Sequence, residues 1–297
     1  MRSLLFVPGD SDKKLAKAMA ADGLARPDAL IIDIEDSVAP SEKPKARAMT
    51  AAFIRANRGQ AVRPRFYVRI NALDTGYWRD DVAAVVPAGP EGVFLPKPRS
   101  GADVAALSRE LESAERAAGL PVGQTRIIAI VTEVPISLLK LDSYIGVSPR
   151  LEVITWGAED LSAAMGSLGN RDASGAYTSP FRLARDLCLF TACAAGVQPL
   201  DTIYGNYRDE KALEAECLAA ARDGFTGKMA IHPAQVAIIN RAFTPSAEEI
   251  ALSRRIIAAF DGHPGVGVVG LDGEMLDQPH LTRARRVLQR AKAAGAS

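Results

Sequence analysis

Ile127-Ile128-Ala129-Ile130-Val131-Thr132-Glu133 sets five apolar residues ahead of a threonine and an acid. A short, continuous, β-branched run of this kind is the mark of a strand buried on both faces, as in a parallel sheet. Leu30-Ile31-Ile32, running into Asp33-Ile34-Glu35-Asp36, has the same form. Working outward from these two, strands are expected at 4–7, 29–34, 66–70, 92–95, 127–132, 151–156, 199–202 and 227–231. Helical patterns fill the gaps, at 13–21, 41–56, 77–85, 102–118, 135–139, 161–164, 181–195 and 209–221. Eight strand–helix units in about 240 residues predict an α/β architecture, a (β/α)8 TIM barrel. An open doubly wound sheet is the alternative. It would prefer a glycine fingerprint after the first strand, and Val7-Pro8-Gly9-Asp10-Ser11-Asp12 is not GxGxxG.

Residues 1–245 are assigned to the barrel and 246–297 to a C-terminal extension, because the rhythm changes after Phe243. A helix is expected over 246–260. A glycine-rich stretch follows, then a hairpin-like segment at 271–276 with Asp272-Gly273 turn chemistry, and last an amphipathic helix over 279–292. Ser41 and Asp12 are the expected helix caps. The glycine-rich segment 166–175 reads as a long loop, a candidate lid.

Composition bounds the function. The chain of 297 residues is 48% hydrophobic and 24% charged, with 36 Lys+Arg against 35 Asp+Glu. That content argues against disorder, and the near-zero net charge gives no general reason to bind nucleic acid. No apolar run approaches the ~20 residues that span a bilayer, and the N-terminal run is short for a signal peptide. Cys188, Cys193 and Cys217 form no CxxC pair and are odd in number, so buried thiols in a reducing, cytoplasmic setting are expected.

Barrel enzymes carry their chemistry at the carboxyl ends of the strands. Here those ends read Pro8-Gly9-Asp10, Asp33–Asp36, Arg69 with Asn71, Lys97 between two prolines, Thr132-Glu133, Gly157–Asp160, Asp201, and Ile231-His232-Pro233. With three histidines in all, and no GxSxG, HExxH or P-loop, the set is dominated by carboxylates. Glu133 and Asp160 are hard oxygen donors on neighbouring strands. Two carboxylates plus waters and substrate oxygens make a normal Mg²⁺ site; a carboxylate pair neutralised by Arg69 is the plainer alternative. Lys97 raises the possibility of a Schiff-base nucleophile, but nothing near it in sequence lowers its pKa.

Seven segments, in order, resemble the citrate lyase β-subunit-like and malyl-CoA lyase family of the HpcH/HpaI aldolase superfamily. They are Arg2–Gly9, Asp33–Val38, Val68–Asn71, Leu95–Lys97, Thr132-Glu133, Gly157–Leu161 and Ile231–Pro233. The resemblance implies a Mg²⁺-dependent carbon–carbon lyase acting on 3-hydroxyacyl thioesters such as citryl-, malyl- or citramalyl-CoA, giving acetyl-CoA and a 2-oxo acid. It implies Glu133 and Asp160 as metal ligands, Arg69 as the clamp on the 2-oxo acid, and Glu35 and Asp36 as groups holding Arg69 or metal-bound waters. It places Phe6, Lys17, Ile231 and His232 against coenzyme A, although Asp10-Ser11-Asp12 departs from the arginine some malyl-CoA lyases carry in that loop. It further implies a homo-oligomer, trimer or hexamer, in which Asp277 on the extension is the acid/base in a neighbour's site. As a surface aspartate, Asp277 would instead cap the helix that opens at Pro279. A metal-dependent aldolase on free hydroxy-oxo acids and a non-catalytic barrel paralogue are the rival readings. The former would lean on a histidine near the second strand, where this chain has none.

Overall fold

A computed structural model describes residues 1–296. Each apolar run forms a strand: β1 (Ser3–Pro8), β2 (Ala29–Asp33), β3 (Arg65–Arg69), β4 (Gly92–Leu95), β5 (Arg126–Ile130), β6 (Leu151–Thr155), β7 (Gln198–Leu200) and β8 (Lys228–Ala230). All neighbouring pairs are parallel, in the order β7-β6-β5-β4-β3-β2-β1-β8. A parallel bridge between Asp201 and Lys228 joins the two ends, so the sheet closes into the expected barrel. The unbroken apolar runs follow from this closure, since one face of each strand meets the barrel interior and the other the helices. Alternate residues separate accordingly. Ile31, Tyr67, Phe94, Ile128, Ile130 and Met229 fill the interior, while Leu30, Ile32, Val68, Ile127 and Ala129 pack beneath the helical layer.

The helices are α1 (Asp12–Met19), α2 (Lys43–Asn57), α3 (Trp78–Val85), α4 (Gly101–Ala117), α5 (Pro135–Leu138), α6 (Ala158–Met165), α7 (Ser179–Ala195), α8 (Glu210–Asp223) and α9 (Pro233–Ala242). The last of these closes the eighth unit and was absent from the sequence expectations. Its Val236-Ala237-Ile238-Ile239 core is β-branched, a poor local helix signal, and packing against β1 and β8 overrides it. Neither expected cap holds. Ser41 sits inside a short 3-10 turn ahead of α2, whose cap position is Glu42, and Asp12 is the first residue of α1 rather than its cap. Cys188 and Cys217 are buried, but Cys193 is exposed on α7, which corrects the expectation for that residue.

Beyond α9 the chain forms α10 (Ala247–Asp261), a hairpin of β9 (Val268–Leu271) and β10 (Glu274–Asp277), and α11 (Gln278–Ala293). Phe260, Val269, Leu276 and Leu281 give these elements a small core of their own. Asp272 and Gly273 both take positive φ, 54° and 83°, as a two-residue hairpin turn requires. The 166–178 loop is tied down. Arg171 pairs with Glu216 at 2.8 Å and lies over the Tyr177 ring.

Candidate active site

Five strand ends deliver charge to one mouth. Asp33 ends β2, Arg69 ends β3, Lys97 follows β4, Glu133 follows β5, and Asp160 lies in the first turn of α6 just past β6. At this mouth lies a cavity of about 280 Å³, lined among others by Asp33, Arg69, Glu133, Glu159 and Asp160, with Phe6, Ile130, Ile203 and Met229 on its apolar side; Lys97 stands behind that lining, 3.6 Å from Asp160.

Arg69 is held by three contacts. Its Nε and Nη2 donate to the two oxygens of Asp33 at 2.8 and 2.7 Å, and its Nη1 lies 3.0 Å from Glu35 Oε2. Burial works against the guanidinium charge, but Asp33 and Glu35 outweigh it and raise its pKa further. The same pairing keeps Asp33 below the ordinary carboxylate range despite burial. Asp33 is thus the principal partner of Arg69, a role the sequence reading did not assign. Glu35 takes a secondary part, and Asp36 lies 4.0 Å from the guanidinium. The Phe6 ring sits 5.0 Å beneath it.

Lys97 is built into the site by its backbone as well as its side chain. Between Pro96 and Pro98 it adopts φ +50°, a left-handed conformation costly for a residue with a Cβ. In that conformation its N–H donates to Glu133 Oε2 at 2.7 Å. Its ammonium donates to Glu35 at 2.6 Å and Asp36 at 2.8 Å, and lies 3.6 Å from Asp160. Burial would lower its pKa, but the hydrogen bonds to Asp36 and Glu35 hold it above the ordinary lysine value. A lysine kept protonated in this way is no Schiff-base nucleophile.

Glu133 is almost wholly buried. Burial, and then the negative charge of Asp160, push its carboxyl up to about 8. Burial likewise raises Glu35, and its Oε2, although close to Arg69, has no hydrogen bond of good geometry. Negative charge therefore exceeds what Arg69 and Lys97 neutralise. The donor set suits a hard divalent cation that keeps waters and takes one or two protein carboxylates. Among the described residues no cluster of three or more His, Cys, Asp or Glu is arranged to enclose a metal.

The neighbouring polar residues are structural. Thr132 Oγ1 accepts from Gly157 N at 3.0 Å, which clasps the ends of β5 and β6. Asn71 Nδ2 donates to Asp81 at 2.7 Å and to the Ile34 carbonyl at 3.1 Å. The buried Lys43 ammonium donates to the Ile34 and Glu35 carbonyls and so fixes the turn that carries the acids. Of the residues assigned to coenzyme A, Phe6 and Ile231 line the cavity. Lys17 lies exposed on α1 and His232 caps α9, its Nδ1 accepting from Ala234 N at 3.2 Å and its ring stacked on Tyr207; neither lines the cavity. Asp277 is also outside that lining. It caps α11, with Oδ1 2.6 Å from His280 Nδ1, and this hydrogen bond lowers its pKa.

Comparison with known proteins agrees with this geometry. The family model described as HpcH/HpaI aldolase/citrate lyase matches residues 2–233. A (3S)-malyl-CoA thioesterase of Cereibacter sphaeroides is 35% identical, with 99% of this chain and 96% of the relative covered. A citrate lyase subunit beta of Haemophilus influenzae is 33% identical, with coverages of 98% and 97%. A CitE protein of Mycobacterium tuberculosis, solved with magnesium, acetoacetate and coenzyme A, superposes with a TM-score of 0.77 at 32% identity, covering 98% of both chains. No helix among the described residues is long and apolar enough to cross a membrane. With its barrel closed, its charged strand ends gathered at one mouth and its match to the family running through all eight strands, the chain belongs to the HpcH/HpaI aldolase/citrate lyase family.

Proposed function

We propose that this chain is a Mg²⁺-dependent carbon–carbon lyase that cleaves, or in reverse forms, a 3-hydroxyacyl-CoA thioester, with acetyl-CoA and a 2-oxo acid as the other side of the reaction. The observation that carries the reading is the convergence of Arg69, Glu133 and Asp160 on one cavity. In this reading Glu133 and Asp160 would hold the ion; a relative in the family is solved with magnesium bound. When bound, Mg²⁺ acts as a Lewis acid toward the oxygens of the 2-oxo acid.

The protein's own groups do the rest. Arg69, fixed by Asp33, presents a planar fork to the substrate carboxylate. Lys97 keeps Glu133 and Asp160 at a set spacing through one backbone and one ammonium contact. Cleavage breaks the bond between the α and β carbons of the thioester. The electron pair stays on the α carbon as the thioester enolate, and the hydroxyl proton passes to solvent as the β carbon becomes the carbonyl carbon of the 2-oxo acid. One proton delivered to the α carbon then completes acetyl-CoA. The thioester itself stabilises that carbanion, so no Schiff base is needed. Asp277, presented by a second copy, is our candidate for that proton transfer.

The test is acetyl-CoA release from malyl-, citramalyl- and citryl-CoA. Release from at least one of them is expected with Mg²⁺, with loss on chelation by EDTA and in Glu133→Gln. A folded protein that releases acetyl-CoA from none of the three overturns the reading.

A further inference from the structure

Three neighbouring strands carry a buried polar side chain on the helix side of the barrel, directly behind the cavity. Trp156 follows β6, Asp201 follows β7 and Lys228 opens β8. The Trp156 indole Nε1 donates to Asp201 Oδ1 at 2.7 Å, and the Lys228 ammonium donates to Asp201 Oδ2 at 2.8 Å. Lys228 gives a second hydrogen bond to Glu216 on α8 at 2.7 Å, and Arg185 on α7 lies 3.7 Å from Asp201. Burial works against both charges. Even so, Lys228 and Arg185 hold Asp201 below the ordinary carboxylate range, and Asp201 and Glu216 hold Lys228 above the ordinary lysine value.

A buried ion pair is weak evidence for stability, since well-packed apolar residues often replace one at no cost. The placement of this one is more telling. Each of the three residues stands just ahead of residues that line the cavity: Trp156 before Gly157 and Ala158, Asp201 before Thr202 and Ile203, Lys228 before Met229. The β6–β7–β8 side of the wall is thus fixed from behind. Trp156 is its sensitive point. An indole has one donor and no acceptor, so the bond to Asp201 uses all of its hydrogen-bonding capacity. The next residue has no room to drift. A Cβ at Gly157 would stand 2.9 Å from Glu133 Cγ, and the Gly157 N–H is tied to Thr132. The turn that Trp156 begins therefore places Asp160 relative to Glu133. The same network reaches that turn a second way. Glu216 takes Arg171 on its other oxygen, and beside Arg171 the Asn170 amide donates to Glu159 at 2.8 Å.

We propose that Asp201, held in place by Lys228, is a positioning residue that acts through Trp156 to set the spacing of Glu133 and Asp160. This rests on the reading of those two carboxylates as the Mg²⁺ ligands. It adds to the working parts of the site a pair of residues that lie outside the cavity lining.

The experiment measures Mg²⁺ affinity by calorimetry on the metal-free protein. It also measures kcat and KM separately on whichever of malyl-, citramalyl- and citryl-CoA the wild type cleaves. Trp156→Phe keeps an aromatic ring and removes the donor. It is expected to fold, to bind Mg²⁺ about tenfold more weakly and to lose about tenfold in kcat, with KM for the thioester little changed. Asp201→Ser leaves the backbone bridge to Lys228 in place and is expected to show the same losses. The double variant is expected to lose no more than the worse single one, as two residues on one path require. If Asp201→Ser does not fold, Trp156→Phe decides alone. Tyr67→Phe is the control. It removes a buried hydrogen bond of 2.8 Å to Glu152, at the amino end of the barrel, and is expected to leave Mg²⁺ affinity and kcat unchanged. Wild-type Mg²⁺ affinity in Trp156→Phe, or an equal loss in Tyr67→Phe, overturns the inference. Absence of Mg²⁺ binding by the wild type removes the ligand assignment and this inference with it. A wild type that binds Mg²⁺ but cleaves none of the thioesters removes the lyase reading alone, and weaker Mg²⁺ binding by Trp156→Phe still supports the positioning role.

Discussion

Glu133 concentrates the electrostatics of the site in one side chain. Burial and Asp160 hold its carboxyl at about 8, against 4.5 for an ordinary glutamate. The folded, metal-free protein therefore retains a proton there that the unfolded chain has lost. This contribution to stability is most favourable below the ordinary value and declines as pH rises toward 8. A divalent ion has to displace that proton. Mg²⁺ binding near pH 7 is expected to release about one proton and to strengthen between about pH 6 and pH 8. Calorimetry in two buffers of different ionisation heat checks both, and pH-independent binding without proton release would contradict the assignment. Glu133→Gln and Asp160→Asn are each expected to abolish detectable Mg²⁺ binding. Arg69 invites a different test. Lysine keeps its charge but loses the fork, so Arg69→Lys is expected to lose ~2–4 kcal/mol of transition-state binding, about 30- to 1,000-fold in kcat/KM. Near wild-type kinetics would make this arginine a structural partner of Asp33.

At the scale of elements, the site depends on how closely β5 and β6 approach. A Cβ at Gly157 would stand 2.9 Å from Glu133 Cγ, although the backbone there, at φ −127°, accepts any residue. Gly157→Ala is therefore expected to fold, melting within a few degrees of wild type, yet to lose at least about tenfold in kcat as Glu133 is pushed aside. Unchanged turnover would show that the acid has slack. The strands themselves were legible in the sequence, because burial on both faces writes each as an unbroken apolar run, and the acids and Arg69 fall directly after those runs. The partnerships between strand ends were not. Asp33 looks like any acid in Asp33-Ile34-Glu35-Asp36 until the parallel register sets it opposite Arg69. Lys97 reveals its role only through a positive φ that aims its N–H at Glu133. The α9 helix was hidden because its local preference runs against its tertiary packing, and Ser41 failed as a cap because a 3-10 turn precedes α2.

At the scale of the whole molecule, the barrel gathers a clamp and two carboxylates but leaves Asp277 on the extension, outside the cavity lining. In the proposed reading the proton donor for the α carbon is Asp277 of a second copy. Asp277→Ala is expected to keep Mg²⁺ binding and lose turnover, and mixing it with inactive Glu133→Ala subunits should restore part of the activity. No rescue in verified mixed oligomers would reject a shared site, and full activity of Asp277→Ala alone would reduce the residue to the cap of α11. The name of one relative, a malyl-CoA thioesterase, marks the chemistry that must be told apart from cleavage: hydrolysis yields free coenzyme A and an intact hydroxy acid. The most direct test is product analysis of the wild-type protein acting on malyl-, citramalyl- and citryl-CoA, with and without Mg²⁺. The account predicts acetyl-CoA and the matching 2-oxo acid in equal amounts from at least one of them, both dependent on the ion; free coenzyme A with the intact hydroxy acid, or equal yields after the metal is removed, would contradict it.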